Sequence, residues 1–87
     1  MKMESGKIRK TVRSYLIEEL FIAENQDDLT DEMPLITGGV MDSIRALKLV
    51  GFIEDNFGLS FMAHEISIDH LDSVDDIVAF IQNKCAK

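Results

Sequence analysis

The stretch Gly39-Val40-Met41-Asp42-Ser43-Ile44 places a serine hydroxyl at the point where a polar turn gives way to an amphipathic helix. Before it lie the only proline, Pro34, and the adjacent glycines Gly38 and Gly39, residues that break regular structure. After it, Ala46, Leu49, Val50, Ile53 and Phe57 recur at i, i+3, i+4, i+7 and i+11, the spacing of one helical face. A helix therefore begins near Asp42. Asp and Ser also suit such a position because their side chains accept hydrogen bonds from the free N–H groups of a helix start.

Upstream, Ile8, Val12, Tyr15, Leu16 and Leu20 line one stripe, widened by Ile17 and Phe21. They predict a helix from Ser5 or Gly6 to Ala23, with Ser5 as its cap. Asn25-Gln26-Asp27-Asp28 then ends the pattern, and no period is sustained up to Val40. So long a loop fits a compact domain only if something pins it. Leu29, Met33, Leu35 and Ile36 supply apolar side chains for that purpose.

Beyond Phe57, Leu59-Ser60-Phe61-Met62 reads as a short extended connection and Ala63-His64-Glu65-Ile66 as one or two helical turns. Ser73 is a good cap for a last helix, Asp75 and Asp76 favour its positive end, and Val74, Ile77, Val78, Ile81 and Cys85 form its apolar face. The expectation is an all-α, small four-helix bundle with three longer helices and one short one. A long loop joins helices I and II, and residues 1–87 form a single domain.

Sixteen acidic and nine basic residues give a net charge of −7, which argues against nucleic acid and for basic partners. The basic groups Lys2, Lys7, Arg9, Lys10 and Arg13 fall in the first 13 residues, where they read as an exposed helix face. From residue 14 onward four basic and fifteen acidic residues remain, a net of −11. No apolar run reaches the roughly 18 residues of a membrane span, and no apolar segment of secretory type follows the N-terminal charges, so a cytoplasmic location is expected.

Catalytic and metal chemistry find little support. Cys85 is the only cysteine, so no internal disulfide can form, and it reads as a small apolar residue or one at a frayed end. His64 and His70, six residues apart, do not share a helical face and read as surface or capping residues. Asp69, Asp72, Asp75 and Asp76 lack the central glycine and closing glutamate of a calcium loop and read as helix-capping acids. Ser43 is not in a Gly-x-Ser-x-Gly elbow and has no neighbouring histidine, so no enzyme activity is expected.

With its flanking helices, the segment from Leu35 to Phe57 resembles the acyl and peptidyl carrier proteins. Their pattern is a glycine-containing loop, Asp-Ser-Leu, here Asp42-Ser43-Ile44, and an apolar helix ending in Glu-x-x-Phe-Gly, here Glu54-Asp55-Asn56-Phe57-Gly58. The resemblance implies that Ser43 carries covalent 4′-phosphopantetheine, transferred from coenzyme A by a holo-carrier synthase, a phosphopantetheinyl transferase. Asp42 would help hold the magnesium ion of that transferase complex. An acyl or aminoacyl group would ride as a thioester, supplied by a loading ligase and passed to downstream synthases of fatty-acid, polyketide or related specialised biosynthesis, with the carrier acting as a monomer.

The same resemblance places the docking surface on helix II and the short helix, which here would include Met41, Ile44, Leu47 and Ile66. Small Ala46 and Gly51 would leave room near the bundle interior for a folded-back chain, although Ala46 and Ile66 read equally as core. Arg45 and Lys48 depart from the family: fatty-acid carriers are usually acidic just after the serine, and two cations there would repel a partner built for an acidic face. Gly38-Gly39 and the Asp-Ser-Ile form resemble peptidyl or aminoacyl carriers, and a stand-alone, specialised member is expected. The reading from a different class is an unmodified helical interaction module in which Asp42-Ser43 only caps a helix.

Overall fold

The computed structural model describes residues 4–85, and no strand occurs among them. The longer helices are α1 (Ser5–Glu18), α2 (Ser43–Phe57) and α4 (Val74–Cys85), and the short one is α3 (Ile68–Leu71). Single 3₁₀ turns occur at Gln26–Asp28 and Ala63–Glu65. The side chains of Ser5 and Cys85, expected to cap and to pack, lie outside the described residues, as does Lys2. The backbone of α1 has Glu4 in its cap position.

Each long helix buries most of the described part of the stripe that its spacing predicts, with Tyr15, Ile17 and Phe57 only half-buried at its margins. Ile8, Val12 and Leu16 from α1, Leu49 and Ile53 from α2, and Val74, Ile77 and Ile81 from α4 meet in one fully buried cluster. Burying each such side chain is worth about 1.5–3 kcal/mol relative to leaving it in water. The helices α1 and α4 share the broadest contact, while α1 meets α2 where the rings of Tyr15 and Phe52 stack 3.9 Å apart at 16°. The Tyr15 hydroxyl donates to the Lys48 carbonyl at 3.3 Å. Among the described residues, no helix is long and apolar enough to cross a membrane.

The first helix stops at Glu18, five residues short of expectation. Its last turn widens: the Leu20 N–H donates to the Tyr15 carbonyl and the Ile22 N–H to that of Leu16, spanning five and six residues instead of four. Leu20 stays buried, but Phe21 takes a left-handed backbone (φ +55°) and leaves the stripe. That conformation costs a residue with a side chain about 1–2 kcal/mol.

Leu29 and Leu35 are buried and Met33 and Ile36 pack against the core, so the long loop is pinned as its sequence requires. Asn25 caps the 3₁₀ turn by accepting the Asp27 N–H at 3.1 Å. Gly38 is needed at a close approach, since a Cβ there would come within 2.2 Å of the Pro34 carbonyl oxygen. Two further devices join loop to bundle. Arg9 pairs with Asp31 (3.0 Å) and Asp75 (2.6 Å), and Arg13 pairs with Asp31 (2.8 Å) and donates to both the side chain and the carbonyl of Gln26. Among the described residues of the basic stretch, Lys7 and Lys10 are exposed on α1 as expected, whereas Arg9 and Arg13 are half-buried and hold the loop.

The second device corrects the expectation for Asp72: it ends α3, but its carboxylate caps no helix and acts as a clamp. Its carboxylate accepts the N–H groups of Ile36 and Thr37 at 2.9 Å each and the Thr37 hydroxyl at 2.8 Å, and its carbonyl accepts the Leu35 N–H. The Thr37 N–H, then the Thr37 hydroxyl and the Ile36 N–H, hold this carboxyl below its ordinary pKa against the opposing effect of burial. A carboxyl whose pKa falls on folding stabilises above its unfolded value, near pH 4, and that contribution is lost as pH drops through the lower folded value. The gap in urea midpoint between wild type and Asp72→Asn is therefore expected to narrow as pH falls below about 4. A constant gap from pH 7 to pH 2 would disprove the clamp.

The expected helical turns at 63–66 are a 3₁₀ turn alone, and the short helix proper follows at α3. The Glu65 carboxylate accepts the Met62 N–H at 2.8 Å and pairs with Lys84 at 2.7 Å, which lowers its pKa chiefly through Lys84. Lys84 also donates to the Ser60 carbonyl. His64 is exposed as expected, whereas His70 packs its ring on Phe80 at 4.6 Å. Ser73 caps α4, its hydroxyl accepting the Asp76 N–H at 3.1 Å.

Candidate functional site

The start of α2 is built from the loop inward. The Leu35 carbonyl accepts the N–H groups of Val40 and Met41 at 2.9 and 2.7 Å, with Gly39 between them in a left-handed turn (φ +75°). Met41 is 1 % exposed and anchors the turn in the core. Asp42 is then extended and caps the helix, its Oδ1 accepting the Arg45 N–H at 2.8 Å. Ser43 is the first helical residue and is exposed.

Capping therefore belongs to Asp42 alone. The Ser43 hydroxyl makes no hydrogen bond among the described residues, and neither do the backbone N–H groups of Ser43 and Ile44. Free donors at the positive end of a fifteen-residue helix favour an anion.

Beside Ser43 opens a groove of about 630 Å³ between α2 and the α3 region. Buried Met41, Ala46 and Leu71 form its base, and Ile36, Leu47, Ile66 and Ile68 its sides. Among the described residues, Asp42 is the only charged one that lines it. Asp42 and Ser43 put polar groups at one side, Ser67 adds one on the α3 side, and most of the remaining lining is apolar.

Of the expected docking residues, Ile44 (67 % exposed), Leu47 (58 %) and Ile66 (36 %) present apolar surface to solvent. Met41 does not: its place is the core, because the loop that positions Asp42 needs an apolar anchor there. Ala46 is buried at the groove's base, but Gly51 is exposed with open space where a Cβ would stand, so it leaves no room toward the interior. Arg45 is half-buried and Lys48 exposed, and neither forms an ion pair among the described residues.

Sequence reasoning missed Ile36 and Leu71 as groove residues, and Met62 and Ile68 as exposed apolar ones. No protein-family model matches this chain, and no curated protein matches it.

Chemically, the arrangement offers an accessible alcohol, two free N–H donors and an adjoining apolar trough. A hydroxyl without a local base is a poor nucleophile, so any reaction at Ser43 Oγ needs a base from another molecule. These features fit a phosphate ester carrying an extended substituent: the donors meet its charge and the exposed position leaves it space.

Proposed function

We propose that this chain is a carrier protein of the acyl-carrier type, bearing 4′-phosphopantetheine on Ser43 and delivering an acyl or aminoacyl group to partner enzymes. The observation that carries the reading is the exposed, unpartnered Ser43 hydroxyl at the helix start, next to the groove and relieved of capping by Asp42. When bound, the group supplies a thiol that holds cargo as a thioester.

Ser43 Oγ would provide the ester oxygen, its proton passing to a base on the transferring enzyme while the pyrophosphate P–O bond of coenzyme A breaks and adenosine 3′,5′-bisphosphate leaves. The N–H groups of Ser43 and Ile44 face the resulting negative charge. The second carboxylate oxygen of Asp42, which has no hydrogen bond among the described residues, is free for the magnesium of a transferase complex. The groove shelters apolar cargo, and tethering raises the cargo's effective concentration at a docked partner. The chain itself binds and delivers, and catalysis belongs to its partners.

Exposed Ile44, Leu47 and Ile66 form the apolar part of the docking face, and Arg45 and Lys48, without ion pairs among the described residues, give it positive charge. That combination selects partners with acidic groups at this contact and favours a specialised pathway. Incubation with coenzyme A, magnesium and a broad-specificity transferase is expected to add the mass of one phosphopantetheinyl group, mapped by peptide fragmentation to Ser43. No gain with several such transferases would overturn the proposal and leave the exposed α2 face as a plain interaction surface.

A further inference from the structure

We infer that Phe21 and the acidic residues around it form a second docking surface, separate from the Ser43 groove. Its occupant is a protein segment presenting an apolar side chain between lysines or arginines. Phe21 is 77 % exposed, the most exposed large apolar side chain among the described residues. It is not on a loose tail: Leu20 before it is buried, and the Ile22 N–H after it is bonded to the Leu16 carbonyl at 2.9 Å. A fixed backbone thus holds the ring out, in a left-handed conformation suited to glycine or asparagine and rare for bulky residues. Such outliers persist where the surrounding structure enforces them, and they concentrate at sites of function.

The ring borders a recess formed with Ile17, Ile22 and Ala23, flanked by Glu18 and Glu24. From residue 18 to residue 28 the chain holds Glu18, Glu19, Glu24, Asp27 and Asp28 and no basic residue. All five acids are exposed, and none is in an ion pair among the described residues. Arg13, which reaches Gln26 in this stretch, is committed to Gln26 and Asp31. An aromatic anchor inside a predominantly acidic rim, with Lys10 beside Glu18 and Glu19 on the α1 side alone, matches a cationic, amphipathic partner. An anionic lipid surface or nucleic acid would be repelled, and two copies meeting here would set one acidic rim against another.

The test uses the unmodified chain, so its outcome is independent of any group on Ser43. A synthetic amphipathic helix of leucine and lysine is titrated into the ¹⁵N-labelled protein at low salt, with a leucine–glutamate peptide as the counterpart. Amide shifts are expected to concentrate in residues 17–24 with the cationic peptide only. Binding should weaken by about ten-fold or more in Phe21→Asn, the loss typical of an anchoring ring, and in a salt-dependent way when Glu18, Glu19 and Glu24 all become Gln. Asparagine tolerates the left-handed backbone, so unchanged amide shifts elsewhere will show that Phe21→Asn folds normally. The inference is overturned by no binding to wild type, by shifts centred on Ile44 and Leu47 that survive Phe21→Asn, or by a dimer in sedimentation that Phe21→Asn dissolves.

Discussion

Replacing Ser43 with alanine is expected to abolish phosphopantetheinylation while leaving stability within about 0.5 kcal/mol of wild type, the range of a surface substitution that removes no contact. The separation follows from the start of α2, where the Ser43 hydroxyl bonds to nothing among the described residues and Asp42 does the capping. Asp42→Ala should behave differently, losing about 1 kcal/mol because the Arg45 N–H is left without its acceptor. Intact mass after incubation with a transferase reads the first effect, and urea denaturation of both variants reads the second. If Ser43→Ala proved as destabilising as Asp42→Ala, the serine would be a structural residue after all. If the alanine variant still gained mass, the attachment would lie elsewhere.

The largest effect on the fold is expected from Leu35→Ala. Leu35 is fully buried although it lies in a loop, its N–H donates to the Asp72 carbonyl, and its own carbonyl holds Val40 and Met41. Truncating a buried leucine costs about 2–5 kcal/mol through lost transfer energy and the cavity left behind. Against the roughly 4–13 kcal/mol available to a chain of 87 residues, that is a large share. Urea denaturation measures the loss. Hydrogen exchange should show the bonded amides of Val40, Met41, Arg45 and Ala46 losing protection before those of α4, because the leucine anchors the turn that presents Asp42 and Ser43. A loss below about 1 kcal/mol would mean that the loop is not a structural part of the site.

What could be read from the sequence depended on whether its determinants are local. The boundaries of α2 were legible because Asp42 caps one end and Gly58, left-handed at φ +66°, closes the other. Ser73 announced α4 in the same way. The end of α1 was not legible, because Leu20, Phe21 and Ile22 continue an apolar run that periodicity alone reads as more helix. A four-residue helix such as α3 is too short to show a period, and Ser67 before it makes no capping bond.

The site divided along the same line. Ser43, Asp42, Ile44 and Leu47 were named from a family resemblance carried by one local stretch, and their exposure follows from their places at the start of one helix. The groove does not, since it needs Ile36 from the loop and Ile68 and Leu71 from α3 to converge on Ala46. Asp72 resembled a capping acid because its partners, Ile36 and Thr37, stand 36 and 35 residues away, beyond any local pattern. Met41 was expected at the docking face because the family resemblance puts that face on helix II, yet the turn buries it.

The chain has a single tyrosine and no tryptophan. Because Tyr15 lies face to face with Phe52, its ultraviolet signal arises from one joint, the seam between α1 and α2, instead of averaging over many chromophores. Burial, followed by the charge of Glu19, raises the pKa of its phenol. An alkaline absorbance titration thus doubles as a gauge of how firmly those two rods stay joined, without dye, label or engineered probe.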